Sequence, residues 1–140
     1  KKMSKSDTNE RATIFVLNEP EQIKKKIGSA VTDSGTEIIA APDKAGVTNL
    51  LTIHSSLSGQ SFEYLESHFQ GKGYGELKSE IIELLVESLR SARESYKELI
   101  KDKNYLDSVL KTGANCAQKR AFKILSKVKR KVGLPELRRN

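Results

Sequence analysis

The chain has 140 residues, a formal net charge of +7 and low aromatic content without tryptophan. That length supports one main core, which Leu, Ile, Val and Ala must fill, and such a core suits helix packed on helix. One cysteine, Cys116, excludes a disulfide framework and a cysteine-based zinc site. No apolar run is long enough to span a bilayer, and no signal-peptide pattern is present.

Residues 1–11 read as a polar, mobile loop. Lys2 and Lys5 stand three apart, with Met3 and Ser4 between them and Ser6 after. Ammonium groups on long stems, with hydroxyls and backbone N–H groups beside them, suit a polyphosphate. The apolar run 12–17 (ATIFVL) predicts a short strand or an extended connector. Asn18, Pro20 and Glu21 then predict a helix start with Asn18 as cap. Ile23, Ile27 and Val31 form its inner stripe, and the helix is expected to end near 32–35.

Residues 33–46 are broken by Gly35, Pro42 and Gly46. Val47, Leu50, Leu51, His54 and Leu57 predict a second helix, stopped at Ser58-Gly59. Ser61 is positioned to cap a third, with Phe62, Leu65 and Phe69. The turn Gly71-Lys72-Gly73-Tyr74-Gly75 is no P-loop, because the GKS/GKT ending is absent. Tyr74 is expected to plug the bundle, and Asp33 and Ser34 to serve caps and turns.

A long helix is expected from Leu77 through Ile81, Leu85, Ser88, Ala92 and Tyr96 to Leu99. Asn104 is the predicted cap of a short helix ending at Gly113. The last helix is expected to turn Ala117, Ala121, Leu125, Val128 and Val132 inward, with Cys116 as a small buried hydrophobe. Gly133 and Leu134 fit its C′ and C″ positions, and Pro135 bars continuation. The fold class is therefore all-α: about six helices in a bundle, preceded by a loop and one strand-like piece.

Charge is polarised. From Lys119 onward nine Lys/Arg face one acid, Glu136. Such a basic end suits a polyanion, with RNA the natural candidate and neither DNA nor a membrane surface expected as a partner. Candidate phosphate contacts are Lys24, Lys25, Lys26, Lys72, Lys119, Arg120, Lys123 and Lys127. Neither His54 nor His68 has partners at metal-ligand spacing, and no metal site is expected.

Several strings together resemble the bacterial-type tryptophanyl-tRNA synthetases: KKMSKSD at 1–7, IKKKIGSAVTDS at 23–34, NLLTIHSSLSGQS at 49–61, GKGYGELK at 71–78 and YLDSVLKTGA at 105–114. KMSKS alone marks only class I aminoacyl-tRNA synthetases. The weakest match is 36–45, where EIIAAPDKAG replaces a more polar loop. The resemblance implies a C-terminal fragment of an enzyme that makes tryptophanyl-adenylate from tryptophan and Mg2+-bound ATP and passes the aminoacyl group to tRNA(Trp). It divides the chain into a phosphate loop and connector at 1–17, a helical anticodon-binding domain at 18–134 and a basic tail at 135–140. Lys2 and Lys5 are then the catalytic cations, and Lys2, Met3, Ser4, Lys5 and Ser6 the ATP-phosphate site, with Met3 anchoring the loop on an apolar surface. The resemblance further implies a cytoplasmic, homodimeric parent joined through a catalytic half absent from this chain, and an inactive fragment. Two alternatives stay open: a tyrosyl-tRNA synthetase fragment and a non-enzymatic helical RNA-binding module.

Overall fold

The structure is a computed structural model, described here for residues 9–135. Among these residues there are six α-helices: α1 Pro20–Gly28, α2 Ala45–Ser58, α3 Phe62–His68, α4 Tyr74–Ser88, α5 Arg90–Leu99 and α6 Lys103–Lys131. Lys1–Ser6, expected to form the phosphate loop, and most of the expected tail lie outside the described residues. The chain divides into two compact units between Glu94 and Ser95.

The first unit packs α4 against α1 and α2, and α2 against α3. Ile23 and Ile27 from α1 meet Val47, Leu50 and Leu51 from α2, Leu65 and Phe69 at α3, and Leu77, Ile81 and Leu85 from α4. Each fully buried aliphatic side chain contributes about 1.5–3 kcal/mol. Ile38 is the one buried hydrophobe supplied by the irregular stretch 33–44. It fastens that stretch to the core.

Segment 12–17 forms no strand. Glu10–Ala12 is a 3₁₀ turn, Thr13 is extended, and the chain turns again at 16–17. The segment is the extended connector of the two readings. Its turn is closed by the Asn18 side chain, whose Oδ1 accepts from the Phe15 N–H at 2.8 Å. Asn18 therefore serves the turn rather than the helix. The α1 cap is Glu19, whose N–H donates to the Gln22 side chain at 2.9 Å, one half of a capping box shifted by one residue.

Helix α1 also stops early, at Gly28. Lys78 of α4 donates its ammonium to the carbonyls of Gly28 (3.2 Å) and Ala30 (2.7 Å), a cation at a helix C-terminus. Val31 therefore leaves the apolar stripe and is 85 % exposed. Its carbonyl presses against Gly46, where a Cβ would stand 2.3 Å from the Val31 oxygen. Only glycine fits there.

The second helix, its glycine stop and the Ser61 cap match expectation: α2 ends at Gly59 in the left-handed region (φ 73°), and Ser61 accepts from the Tyr64 N–H. Leu57, expected on the inner stripe, is instead exposed in the last turn of α2. The expected long helix 77–99 is instead α4 and α5, interrupted at Leu89. Arg93 bends back there and donates to the Val86 carbonyl at 2.8 Å, its aliphatic stem buried. Tyr96 and Leu99 are exposed.

In the second unit, Asp102 rather than Asn104 caps α6, accepting from the Tyr105 N–H at 2.9 Å. The helix then runs 29 residues through Gly113, about 43 Å at 1.5 Å per residue. An interior glycine costs only about 1 kcal/mol relative to alanine, too little to stop a helix continued by Ala114, Ala117 and Ala121. No α6 residue is buried: Leu125, Val128 and Val132 are exposed, and so is Cys116, which is not a core residue. Gly133 (φ 74°) and Leu134 end the helix as expected, the Leu134 N–H donating to the Lys129 carbonyl at 2.9 Å. Among the described residues no helix is long and apolar enough to cross a membrane.

Candidate nucleotide-loop anchor and nucleic-acid interface

The described part of the candidate site begins at Asn9, three residues after the lysine-serine string at 1–6. Asn9 opens the 3₁₀ turn by accepting from the Arg11 N–H at 3.1 Å. Lys26 of α1 reaches back over the connector. Its ammonium donates to the Thr13 carbonyl at 2.6 Å and to Asn18 Oδ1 at 3.0 Å, and lies 4.8 Å from the centre of the Phe15 ring. Charged donors make the stronger class of hydrogen bond, and a cation over an aromatic face adds to it. The stretch that follows residues 1–6 is thereby held to α1. A cleft of about 400 Å³ runs beside it, walled by Arg11, Ile14, Ile27, Leu50 and Ile53.

The basic candidates fall into three places. Lys24 and Lys25 are exposed on α1, whereas Lys26 is occupied with the connector. Lys72 sits on the turn after α3. Lys119, Arg120, Lys123 and Lys127 are exposed on α6. Four-residue spacing puts Lys119, Lys123 and Lys127 along one side of that helix, and Lys131 prolongs the row. No acid occurs on α6 beyond Asp107. The field along this side is therefore uniformly positive.

Two polar clusters escaped the sequence, because each joins residues from separate elements. In the first, the Tyr74 hydroxyl donates to Asp33 Oδ1 at 2.7 Å, and Lys44 lies 3.5 Å from the same oxygen while donating to the Glu37 carbonyl at 3.1 Å. The Tyr74 hydrogen bond, with the Gly35 N–H and the Lys44 charge, holds the Asp33 carboxyl below its usual range against the opposing effect of desolvation. Desolvation and Asp33 push the Tyr74 hydroxyl up. This cluster fastens the loop 33–44 to the start of α4, so Tyr74 does pack as a plug and Asp33 does close a turn.

In the second, Glu80 of α4 receives both histidines. His68 Nε2 is 3.0 Å from Oε1, and His54 Nε2 is 3.5 Å from Oε2. Lys72 lies 3.7 Å from Oε1 and 3.1 Å from His68 Nε2. Burial works to raise the Glu80 carboxyl, but His68, His54 and Lys72 outweigh it and hold it below the ordinary range. The His68 ring meets Phe69 edge-on at 4.7 Å and stacks on Tyr64 at 6.1 Å. Among the described residues no group of three His, Cys, Asp or Glu side chains is arranged to hold a metal ion.

Helical geometry with these cations fits more than one polyanion, so kinship decides. The family model "tRNA synthetases class I (W and Y)" matches residues 1–90, the span that holds the lysine-serine loop, the anchored connector and α1 to α4. The chain belongs to this class I synthetase family. Relatives named tryptophan–tRNA ligase in Bacillus anthracis and in Bacillus subtilis (strain 168) are each 46 % identical over 140 residues, covering 99 % of this chain and 42 % of the relative. A crystal structure of tryptophanyl-tRNA synthetase from Mycoplasma pneumoniae superposes with a TM-score of 0.64 at 32 % identity, covering 96 % of this chain and 41 % of that one. The chain thus spans about 42 % of the length of the synthetase relatives it matches. The match to relatives extends over α6, so its basic row lies within the shared length.

Proposed function

We propose that this chain is the phosphate-loop and tRNA-binding portion of a tryptophan–tRNA ligase. One observation carries the reading: a lysine-serine loop at 1–6 followed by 46 % identity, over nearly the whole chain, to relatives of that name. The family model spans tryptophan and tyrosine enzymes alike, and the names of the relatives favour tryptophan.

The mechanism follows from charge. Attack of the tryptophan carboxylate on the α-phosphate of ATP makes a mixed anhydride and expels pyrophosphate, so negative charge grows on the β,γ side. Lys2 and Lys5 supply ammonium groups to that growing charge. An interaction that strengthens in the transition state raises the rate and not only the affinity. Ser4 and Ser6 donate to phosphate oxygens, and Met3 seats the loop on an apolar surface. Magnesium travels with ATP as part of the substrate. The loop offers ammonium and hydroxyl groups, whose chemistry suits phosphate oxygens rather than a cation, and no step here runs through the metal. Lys26 and Asn18 position the loop's root. Lys24, Lys25 and Lys72, with Lys119, Arg120, Lys123 and Lys127, face the phosphates of tRNA(Trp). In the divisions proposed, 1–17 belongs with the catalytic part, 18–134 with tRNA, and 135–140 is a basic tail. The parent acts in the cytoplasm as a homodimer, and the 140 residues by themselves do not catalyse.

The test is amino-acid-dependent ATP–pyrophosphate exchange by the intact parent, run against all twenty amino acids. Exchange with tryptophan alone is expected. Exchange with tyrosine alone would move the protein to the sister enzyme, and none with any amino acid would leave only a helical RNA-binding module.

A further inference from the structure

His68 Nε2 stands between two partners that require opposite things of it. Lys72 Nζ, 3.1 Å away, has only protons to give. It needs Nε2 as an acceptor, which is the neutral ring protonated at Nδ1. Glu80 Oε1, 3.0 Å away, is a carboxylate held ionised. It needs Nε2 as a donor. One nitrogen cannot satisfy both, so the cluster has two hydrogen-bonded states.

We propose that His68 is a proton-operated latch on Lys72. With His68 neutral, Lys72 is tied to Nε2 and to Glu80, and its charge is withheld. When His68 takes a proton from solvent at Nε2, that N–H turns to Glu80. Two cations are then left about 3 Å apart, with one carboxylate between them. Lys72 carries the charge on a flexible four-carbon stem, while the His68 ring is fixed between Tyr64 and Phe69. Lys72 is therefore the group that leaves, and its ammonium becomes available to a polyanion. This last step rests on Lys72 facing RNA, as proposed above.

The other charged groups around the latch are accounted for. From α2, His54 contacts the far oxygen of Glu80 and is tied through Nδ1 to Ser58 at 3.2 Å. From α3, Tyr64 stacks on His68, and Glu63 and Glu66, together with Glu37 from the stretch before α2, line the groove that Lys72 borders. From α4, Glu83 and Glu87 flank His54 and Glu80. Carboxylates ordinarily titrate well below pH 6, whereas imidazoles change charge between about pH 5 and 8. The chain has only two histidines, so the response is assignable with the single variant His68→Gln.

Two measurements on the full chain test this separately. Side-chain ¹⁵N spectra of the imidazoles at pH 8 should show His68 as the Nδ1–H form, with the Lys72 ammonium coupled to Nε2 and freed on acidification to pH 6. A His68 protonated at Nε2 already at pH 8 overturns the latch. In parallel, binding of unfractionated tRNA is followed against salt. The slope of log affinity with log salt should steepen between pH 8 and pH 6 by roughly one phosphate contact, about 0.7–0.9, in the wild type, and stay constant in both His68→Gln and Lys72→Ala. Steepening that survives in Lys72→Ala would assign it to the charge of His68 itself and overturn the release of Lys72. A latch seen by NMR with a salt slope unmoved by pH overturns the RNA role of Lys72 and leaves the proton-operated switch standing.

Discussion

The ammonium of Lys26 lies 2.6 Å from the carbonyl oxygen of Thr13, and so joins helix α1 to the segment that follows the lysine-serine loop. In sequence Lys26 is the last of three consecutive lysines, indistinguishable from Lys24 and Lys25. In space it is the one whose charge is used internally, on Thr13, Asn18 and the face of Phe15.

That difference predicts different mutants. Lys26→Met removes two charge-assisted hydrogen bonds, a loss of about 1.5–3 kcal/mol readable in urea unfolding of the chain. In the parent it should slow tryptophan activation by loosening the loop's root, with tRNA affinity nearly unchanged. Lys24→Met should do neither to the same degree. Equal effects of the two substitutions on stability would remove the anchor role.

Gly46 sets a second, sharper test. A methyl group there would meet the Val31 carbonyl at 2.3 Å, and the obstacle is backbone rather than a movable side chain. Gly46→Ala should destabilise the first unit by about 1–3 kcal/mol, the usual cost of overpacking, despite alanine's higher helix propensity. A thermal melt that rises instead would mean that α2 and the chain after α1 do not approach so closely.

These two residues also mark where sequence stops being sufficient. Helix α2 was legible because its stripe of Val47, Leu50, Leu51 and His54 and its stop at Gly59 are local features, although Leu57, read onto the same stripe, is exposed. The Gly133–Leu134 ending of α6 is local for the same reason. The end of α1 was not, because its cap is Lys78, about fifty residues away in sequence. The break at Leu89 depends on Arg93 folding back to Val86, and arginine on a helix ordinarily reads as solvated. Asn18 looked like a helix cap because capping chemistry suits it, yet the tighter turn at Phe15 claimed its side chain. The candidate site divides likewise. The lysine-serine string at 1–6, proposed above to meet phosphate, is contiguous and stands out in the sequence, whereas the Glu80 cluster is assembled from α2, α3, α4 and a turn, with no spacing to announce it.

Glu80 gives a pH dependence whose sign can be worked out. Its folded-state carboxyl is held below the ordinary value of 4.5, so between the folded and unfolded values the unfolded chain binds the extra proton. The stabilisation is complete above the unfolded value and is lost as pH falls through the folded one. Urea unfolding from pH 6 to pH 3 should show stability declining below about pH 5, and Glu80→Gln should lower stability at pH 6 and flatten that decline. An unchanged slope in the variant would mean that the histidines do not stabilise the ionised carboxylate.

The loop itself is tested through Lys5. If its ammonium meets charge that develops on the departing pyrophosphate, Lys5→Ala in the parent should lower the single-turnover rate of adenylate formation by about 10²–10³, the range seen when one preorganised donor is removed. Tryptophan affinity should change much less, since that interaction is absent from the ground state. A variant whose KM for ATP rises while the activation rate holds would recast Lys5 as a binding residue only.

The basic row on α6 makes a prediction of a different kind, because phosphate contacts are sequence-tolerant and salt-dependent. Lys119→Ala, Lys123→Ala and Lys127→Ala should each weaken tRNA binding by a similar factor and reduce the salt slope by about 0.7–0.9 per contact. Discrimination between tRNA(Trp) and other tRNAs should persist, since base readout needs stacking or bidentate groups that this row lacks. The exposed Leu125, which helical geometry puts on the opposite side, serves as the control: Leu125→Ala leaves the salt slope untouched if the row acts through charge. A salt slope that falls as much in Leu125→Ala as in Lys127→Ala would mean that α6 contributes through its fold and not through its lysines.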